Sequence, residues 1–254
     1  MSGPIALHGG GEFLAGDEPF LAALLWRAVE RAGRPTSGRP IRIAVVPTAA
    51  ARGRPDLAGS NGVEAFERVA AASSLELVAA TVPIVNRATA ADAGFAAELA
   101  AADVIHFPGG DPDLIPTIMP GTAAWAAIND AHDAGAVLVG ASAGAMAFGP
   151  WTWTPGGGMA GLHVVRGLVV VPHAQAATWS STIERFAAWA PEGLGALGLS
   201  EQTGVIEEPL LRGSLTIDWR VVGPGEARWL ADPERGETVV ARWHEIISTP
   251  VVAL

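Results

Sequence analysis

Gly140-Ala141-Ser142-Ala143-Gly144 directly follows the apolar run Gly135-Ala136-Val137-Leu138-Val139, and this junction constrains the chain more than any other segment. A buried strand that ends in G-x-S-x-G and re-enters as a helix must turn sharply, and small residues on both sides of the serine let the backbone do so. That turn pushes the Ser142 hydroxyl out of the sheet, which makes Ser142 the first candidate nucleophile. For the pentapeptide alone, a Gly/Ala-rich turn without chemistry is the competing reading. A second strand, Val104-Ile105-His106-Phe107-Pro108, runs into Gly109-Gly110-Asp111. In a parallel sheet both turns open at the carboxyl edge, where such folds place their ligands.

Strand and helix patterns alternate through the first two thirds of the chain. Pro4 to His8, Ile41 to Pro47, Leu75 to Val85 and Asp103 to Phe107 read as extended. Phe20 to Val29, Val63 to Ala72, Ala88 to Ala102 and Ala123 to Ala134 read as helices, the first stopping before Gly33-Arg34-Pro35. The alternation predicts an α/β fold: a doubly wound, mostly parallel sheet flanked by helices. After Glu207, short runs broken by Arg212-Gly213-Ser214, Gly223-Pro224-Gly225 and Asp232-Pro233-Glu234-Arg235-Gly236 predict antiparallel hairpins at a sheet edge. With no repeat and no long linker, residues 1–254 read as a single domain. Trp151-Thr152-Trp153-Thr154-Pro155-Gly156-Gly157-Gly158 reads either as a lid or specificity wall or as a surface turn with two half-buried tryptophans.

Composition removes whole classes of chemistry. The chain has no cysteine, and all sixteen of its basic residues are arginine. Thiolate nucleophiles, disulfides, Schiff-base lysines and Ser-Lys dyads are therefore excluded. Tyrosine is absent too, so a catalytic base must be histidine or a carboxylate. The net charge of −10 argues against a nucleic-acid partner. No apolar run approaches the ~18 residues of a membrane span, and Met1-Ser2-Gly3-Pro4 has no export signature, so the expectation is a cytoplasmic protein acting on a small peptide. No H-E-x-x-H or comparable spacing points to a metal, and no cofactor is called for. Nine tryptophans without a tyrosine leave room for an aromatic self-association face, and so for a homodimer.

A serine hydroxyl needs a base to take its proton. Of six histidines, His173 follows the buried run Leu168-Val169-Val170-Val171-Pro172, expected to end at the same edge as Ser142. The Ala143 amide, with Gly110 or Asp111 of the Gly109-Gly110-Asp111 turn, is a natural oxyanion donor. Arg166 is a candidate for recognising an acidic side chain, and Gln175, beside the histidine, for contacting substrate.

Phe107-Pro108-Gly109-Gly110-Asp111, Gly140 to Ala145, Val171-Pro172-His173 and Leu197-Gly198-Leu199-Ser200-Glu201-Gln202-Thr203 together resemble the serine peptidases that include aspartyl dipeptidase (peptidase E) and cyanophycinase. Gly9-Gly10-Gly11 and Val45-Val46-Pro47-Thr48-Ala49 fit as well, so the resemblance runs from the first strand to about residue 207. It implies a glutamine-amidotransferase-like fold, Ser142 as nucleophile, His173 as base, an oxyanion hole around Gly110 and Ala143, and aspartyl substrates. One departure stands out. Family members usually carry an acidic residue between serine and histidine, yet residues 143–172 contain no Asp, Glu or Asn. Either another carboxylate orients the imidazole, Glu201 being the first candidate, or the chain works as a Ser-His dyad, or it binds ligand without turnover. Glu201 as an ordinary surface carboxylate is the competing reading.

Two rivals are weaker. His8-Gly9-Gly10-Gly11 imitates the HGGG motif of α/β-hydrolase esterases, which should follow a third strand, whereas residue 8 leaves room for one. A glutaminase-type amide transfer rests on fold analogy alone and lacks its cysteine.

Overall fold

In a computed structural model, which describes residues 2–31, 39–209, 214–232 and 236–250, the chain opens with β1 (Ile5–His8), α1 (Glu18–Arg31), β2 (Ile41–Val45) and α2 (Pro55–Ala72). It continues with β3 (Leu77–Thr81), α3 (Arg87–Ala90), α4 (Ala93–Ala100) and β4 (Val104–Phe107). Next come α5 (Leu114–Ile118), α6 (Ala123–Asp133), β5 (Val137–Ala141) and α7 (Ala143–Phe148). The final third holds β6 (Trp151–Thr154), β7 (Gly157–Ala160), β8 (Leu168–Val171), α8 (Trp179–Ala187), β9 (Gly195–Leu199) and β10 (Gly204–Glu207). It ends with β11 (Thr216–Val222), β12 (Glu226–Leu230), β13 (Val239–Arg242) and β14 (Ile246–Pro250). The predicted helix over 88–102 is two helices, because the Asp92 side chain accepts hydrogen bonds from the Gly94 and Phe95 amides and so caps α4.

The main sheet runs β14-β11-β10-β1-β5-β4-β2-β3, with β1, β5, β4, β2 and β3 mutually parallel and β10, β11 and β14 antiparallel. Apart from the edge strand β3, one face of which is exposed, the parallel strands are apolar almost throughout because both faces are covered. Ala6, Ile43, Val45, Val104, Val137 and Val139 meet Phe20, Leu24, Leu25 and Phe66 of α1 and α2 on one face. Leu7, Ala44, Ile105 and Leu138 meet Ile115, Ile128 and Phe148 on the other. This is the predicted doubly wound α/β architecture.

Two expectations need correcting. The β8 strand is not in the main sheet but pairs in parallel with β9, in a second sheet ordered β13-β12-β9-β8. The strands after Glu207 divide between the two sheets instead of forming one edge, since β11 and β14 extend the first and β12 and β13 the second. Trp151 to Ala160 forms the β6–β7 hairpin, whose Trp151 is buried against Phe186 in a third apolar cluster with Trp179 and Ile183. That residue is a packing element and not part of a mobile wall. The turns expected at Gly33-Arg34-Pro35, at Arg212-Gly213 and at Pro233-Glu234-Arg235 lie outside the described residues. Among the described residues no helix is long and apolar enough to cross a membrane.

His106, on β4, is fully buried among Phe13 and Phe66, and neither ring nitrogen has a hydrogen-bond partner among the described residues. Burial, aided by the neighbouring His8, pushes its pKa down to about 3 from 6.5. It is therefore neutral in the fold but takes a proton in the unfolded chain below about pH 6.5, so the unfolded state binds more protons as pH falls. Stability is complete above that value and is lost progressively as pH drops towards 3. Urea titrations at pH 7, 6 and 5 are expected to show a slope of about 1 kcal/mol per pH unit from this group. The slope should be absent in His106→Phe.

Candidate active site

Strand order decides which loops meet. With β5 between β1 and β4, the carboxyl ends of three parallel strands bring together Gly9 to Glu12, Ser142 and Gly109 to Asp111. Ser142 sits between β5 and α7 at φ 49°, ψ −114°, a conformation that costs a non-glycine residue about 1–3 kcal/mol. Its amide donates to His8 O at 2.9 Å, and its carbonyl accepts from Met146 N at 3.0 Å. The elbow closes only because of its glycines: a side chain at Gly144 would overlap the Phe107 carbonyl, and one at Gly140 the backbone of Gly144. Each constraint on this element is local, which is why it is legible in the sequence.

His173 arrives from the other sheet. It follows β8 with φ 54°, and its backbone amide donates to Gly9 O at 2.8 Å. The Gln202 amide, one residue past Glu201, donates to Gly10 O at 2.8 Å. The glycine loop after β1 thus fastens the second sheet to the first at the point where the reacting groups meet. Ser142 Oγ lies 3.1 Å from His173 Nε2, and His173 Nδ1 lies 2.9 Å from Glu201 Oε1. The imidazole and the carboxylate are each about half exposed (49% and 55%). The acid that residues 143–172 lack is thus supplied in space by a loop 28 residues beyond the histidine.

Beneath this, His8 Nε2 lies 2.9 Å from Asp17 Oδ1, both side chains being buried. Asp17 also accepts from the Phe13 amide at 2.9 Å, and the His8 ring accepts from Gly10 N at 3.3 Å. These bonds fix the course of residues 9–17. Gly10 has φ +102°, and a side chain there would come within 2.8 Å of His173 Nε2. Gly10→Ala is expected to lower kcat by about 10², because a misplacement of about 1 Å costs that much. A steady-state assay checks this alongside a melting curve shifted by no more than the about 1–2 kcal/mol that a left-handed residue costs.

Candidate oxyanion donors sort themselves by what they already bind. The Asp111 amide, one of the two alternatives, donates to Ala49 O at 2.7 Å and is committed there, while its carboxylate lies 3.7 Å from Arg52. Gly109 N donates to Glu12 Oε1 at 2.7 Å. The Gly110 amide has no acceptor among the described residues, and that of Ala143, first in α7, has none within its helix. Arg52 makes a two-pronged ion pair with Asp113, both bonds 2.7 Å, which holds Asp113 below the usual carboxylate range and braces the turn from outside. Gln175 is exposed after His173 and lines a second cleft with Ser200 and Glu201. Arg166 does not join the site: it is exposed just before β8, at the opposite end of that strand from His173. A pocket of about 410 Å³ opens beside Gly109 and Gly110, lined also by Glu12, Ala49, Arg54 and Leu57. Glu12 was missed by sequence reasoning, its one signal being that it ends the Gly9-Gly10-Gly11 run. Among the described residues no three His, Asp or Glu are grouped to hold a metal.

The model of peptidase family S51 matches residues 34–206, about two thirds of the chain. The chain belongs to peptidase family S51. Membership makes it a serine-type peptidase of the peptidase E kind. A peptidase from an acI-B1 Actinobacterium has a similar structure, with a TM-score of 0.73 and 22% identity over 98% of both chains. A protein assigned as a peptidase E from Listeria monocytogenes EGD-e matches with a TM-score of 0.54 and 14% identity, over 99% of this chain and 100% of that one. At these identities the likeness concerns the fold. No curated protein matches the chain. In an S51 peptidase the alignment of hydroxyl, imidazole and carboxylate described above is suited to acyl transfer.

Proposed function

We propose that this S51 peptidase hydrolyses short aspartyl peptides, with Ser142 as nucleophile, His173 as general base and then general acid, and Glu201 as the group that orients the imidazole. The observation that carries the reading is the 3.1 Å approach of Ser142 Oγ to His173 Nε2. Ser142 Oγ attacks the scissile carbonyl carbon while its proton passes to Nε2. The negative oxygen that develops is met by the Gly110 and Ala143 amides, each such donor being worth about 10² to 10³ in rate. The C–N bond then breaks as His173 returns the proton to the leaving amine, and an acyl ester remains on Ser142. Water, giving a proton to the same imidazole, cleaves the ester and restores the hydroxyl. The 2.9 Å bond from Nδ1 to Glu201 supports a working triad over a dyad or an inactive binder.

For the acidic side chain, Arg54 takes the place expected of Arg166. It lines the pocket beside Gly109 and forms no ion pair among the described residues. A fluorophosphonate is expected to add to the native protein at Ser142, located by mass spectrometry of the labelled peptide. Asp-Xaa dipeptides are expected to be cleaved at least tenfold faster than Asn-Xaa dipeptides and than an aspartate-backbone polymer. Equal rates for Asp and Asn would remove the aspartyl assignment, and an unlabelled Ser142 would remove the mechanism.

A further inference from the structure

Three consecutive carbonyls carry the main chain of the whole triad. His8 O accepts from Ser142 N at 2.9 Å, Gly9 O from His173 N at 2.8 Å, and Gly10 O from Gln202 N, next to Glu201, at 2.8 Å. Gly9 N in turn donates to Thr203 O at 2.9 Å, so the Glu201 loop is held from both directions. Because each member hangs from a different residue of this ledge, a change in its shape moves the hydroxyl, the imidazole and the carboxylate by different amounts. The 3.1 Å and 2.9 Å separations within the triad therefore depend on the path of residues 8–10.

Residues 9–11 are all glycine and leave that path undecided by themselves. The lock lies underneath. The His8 ring is fully buried against Phe20, and its Nδ1 accepts from Gly10 N at 3.3 Å. A ring nitrogen that accepts carries no hydrogen, so the imidazole proton belongs on Nε2. That nitrogen faces Asp17 Oδ1 at 2.9 Å, while Asp17 Oδ2 accepts from Phe13 N at 2.9 Å. The buried carboxylate thus favours the tautomer that can take the Gly10 amide, and it also fixes the far end of the loop. A carboxylate facing one nitrogen sets the role of the other, as Glu201 does for His173 one layer above.

We propose that His8 and Asp17 are positioning residues for the hydrolysis, a role that rests on Ser142 as nucleophile and His173 as base. Neither touches the reacting atoms. Both act through Gly10, whose Cα packs against the His173 ring so closely that a side chain there would fall 2.4 Å from its Cε1.

The rival is a packing role, in which His8 only fills space beside Phe20. Asp17→Asn keeps the size of the side chain and an oxygen for Phe13 N. Its NH2 group then faces Nε2, which accepts only if the ring proton moves to Nδ1, against the Gly10 N–H. At a temperature where circular dichroism shows the variant folded, kcat for an Asp-Xaa dipeptide is expected to fall about 10- to 100-fold, with KM within about twofold. Labelling of Ser142 by an alkyl fluorophosphonate should slow by a similar factor, since it needs the same approach of hydroxyl to imidazole. His8→Asn places an oxygen near the site of Nδ1 and keeps the Gly10 bond, whereas His8→Phe keeps the bulk of the ring and loses that bond. Positioning predicts the higher kcat for His8→Asn, and packing predicts it for His8→Phe. Long-range ¹H–¹⁵N NMR of the wild type, which needs no variant to fold, is expected to show the His8 proton on Nε2. A wild-type proton on Nδ1, an Asp17→Asn variant with wild-type kcat, or a His8→Phe variant as active as His8→Asn overturns the proposal and leaves the nucleophile intact. A wild type that the fluorophosphonate fails to label overturns Ser142 as nucleophile, and the positioning role with it.

Discussion

Ser142→Ala is expected to lower kcat for peptide hydrolysis by about 10⁴ to 10⁶, the range seen when the nucleophile of a serine peptidase is removed. The fold should survive the change. Position 142 has φ 49° with serine and would keep it with alanine, since both carry a Cβ and pay the same backbone strain. The neighbours that hold the elbow, His8 O and Met146 N, bond to the main chain and not to the hydroxyl. The bond lost, to His173 Nε2, is exposed at the mouth of the site. The urea midpoint should therefore stay within about 0.5 kcal/mol of the wild type, as for surface substitutions. A loss of activity with unchanged stability separates a missing nucleophile from a damaged fold. Turnover in the variant within tenfold of the wild type would show that another group attacks the peptide. Some rate above that of uncatalysed hydrolysis should remain from the Gly110 and Ala143 amides and from substrate binding.

How much of this was legible in the sequence depended on how local each constraint was. The elbow is written in five consecutive residues, and the flanking apolar runs give β1, β2, β4 and β5 because strands covered on both faces read as unbroken hydrophobic segments. The Phe107 to Asp111 turn is equally local. What the sequence did not disclose is where separate strands lie. Leu168 to Val171 reads like any buried parallel strand, and nothing in it shows that it pairs with β9 in a second sheet. The partner of His173 is likewise fixed by tertiary structure. Glu201 reaches Nδ1 because Gln202 N bonds to Gly10 O, a contact between residues almost 200 positions apart. Arg166 is close to His173 in sequence, but the four extended residues of β8 carry it to the opposite end of that strand. Glu12 and Asp17 gave no periodic signal, since each serves a loop. Asp111 failed as a donor because only coordinates reveal that its amide is already bonded to Ala49 O.

Glu201→Ala is expected to lower kcat by about 10³ with KM unchanged, because the carboxylate touches the imidazole and not the substrate. Removing the acid of a buried triad costs about 10⁴, partly by allowing the wrong tautomer and partly by withdrawing charge from the imidazolium. Both effects are smaller here. Glu201 is 55% exposed, so solvent screens its charge. The ring is also held independently of it, by the His173 amide on Gly9 O and by the close face of Gly10. The same exposure makes the loss repairable. Glu201 borders an open cleft shared with Gln175, Ser200 and Arg228, wide enough to admit a small anion. Added formate is therefore expected to restore the Glu201→Ala variant several-fold in kcat, and to do nothing for Ser142→Ala. A variant unaffected by formate, or one with wild-type kcat, would mean that the main-chain bonds alone orient the imidazole and that the protein works as a Ser-His dyad. A loss confined to KM would instead move Glu201 from the imidazole to the substrate.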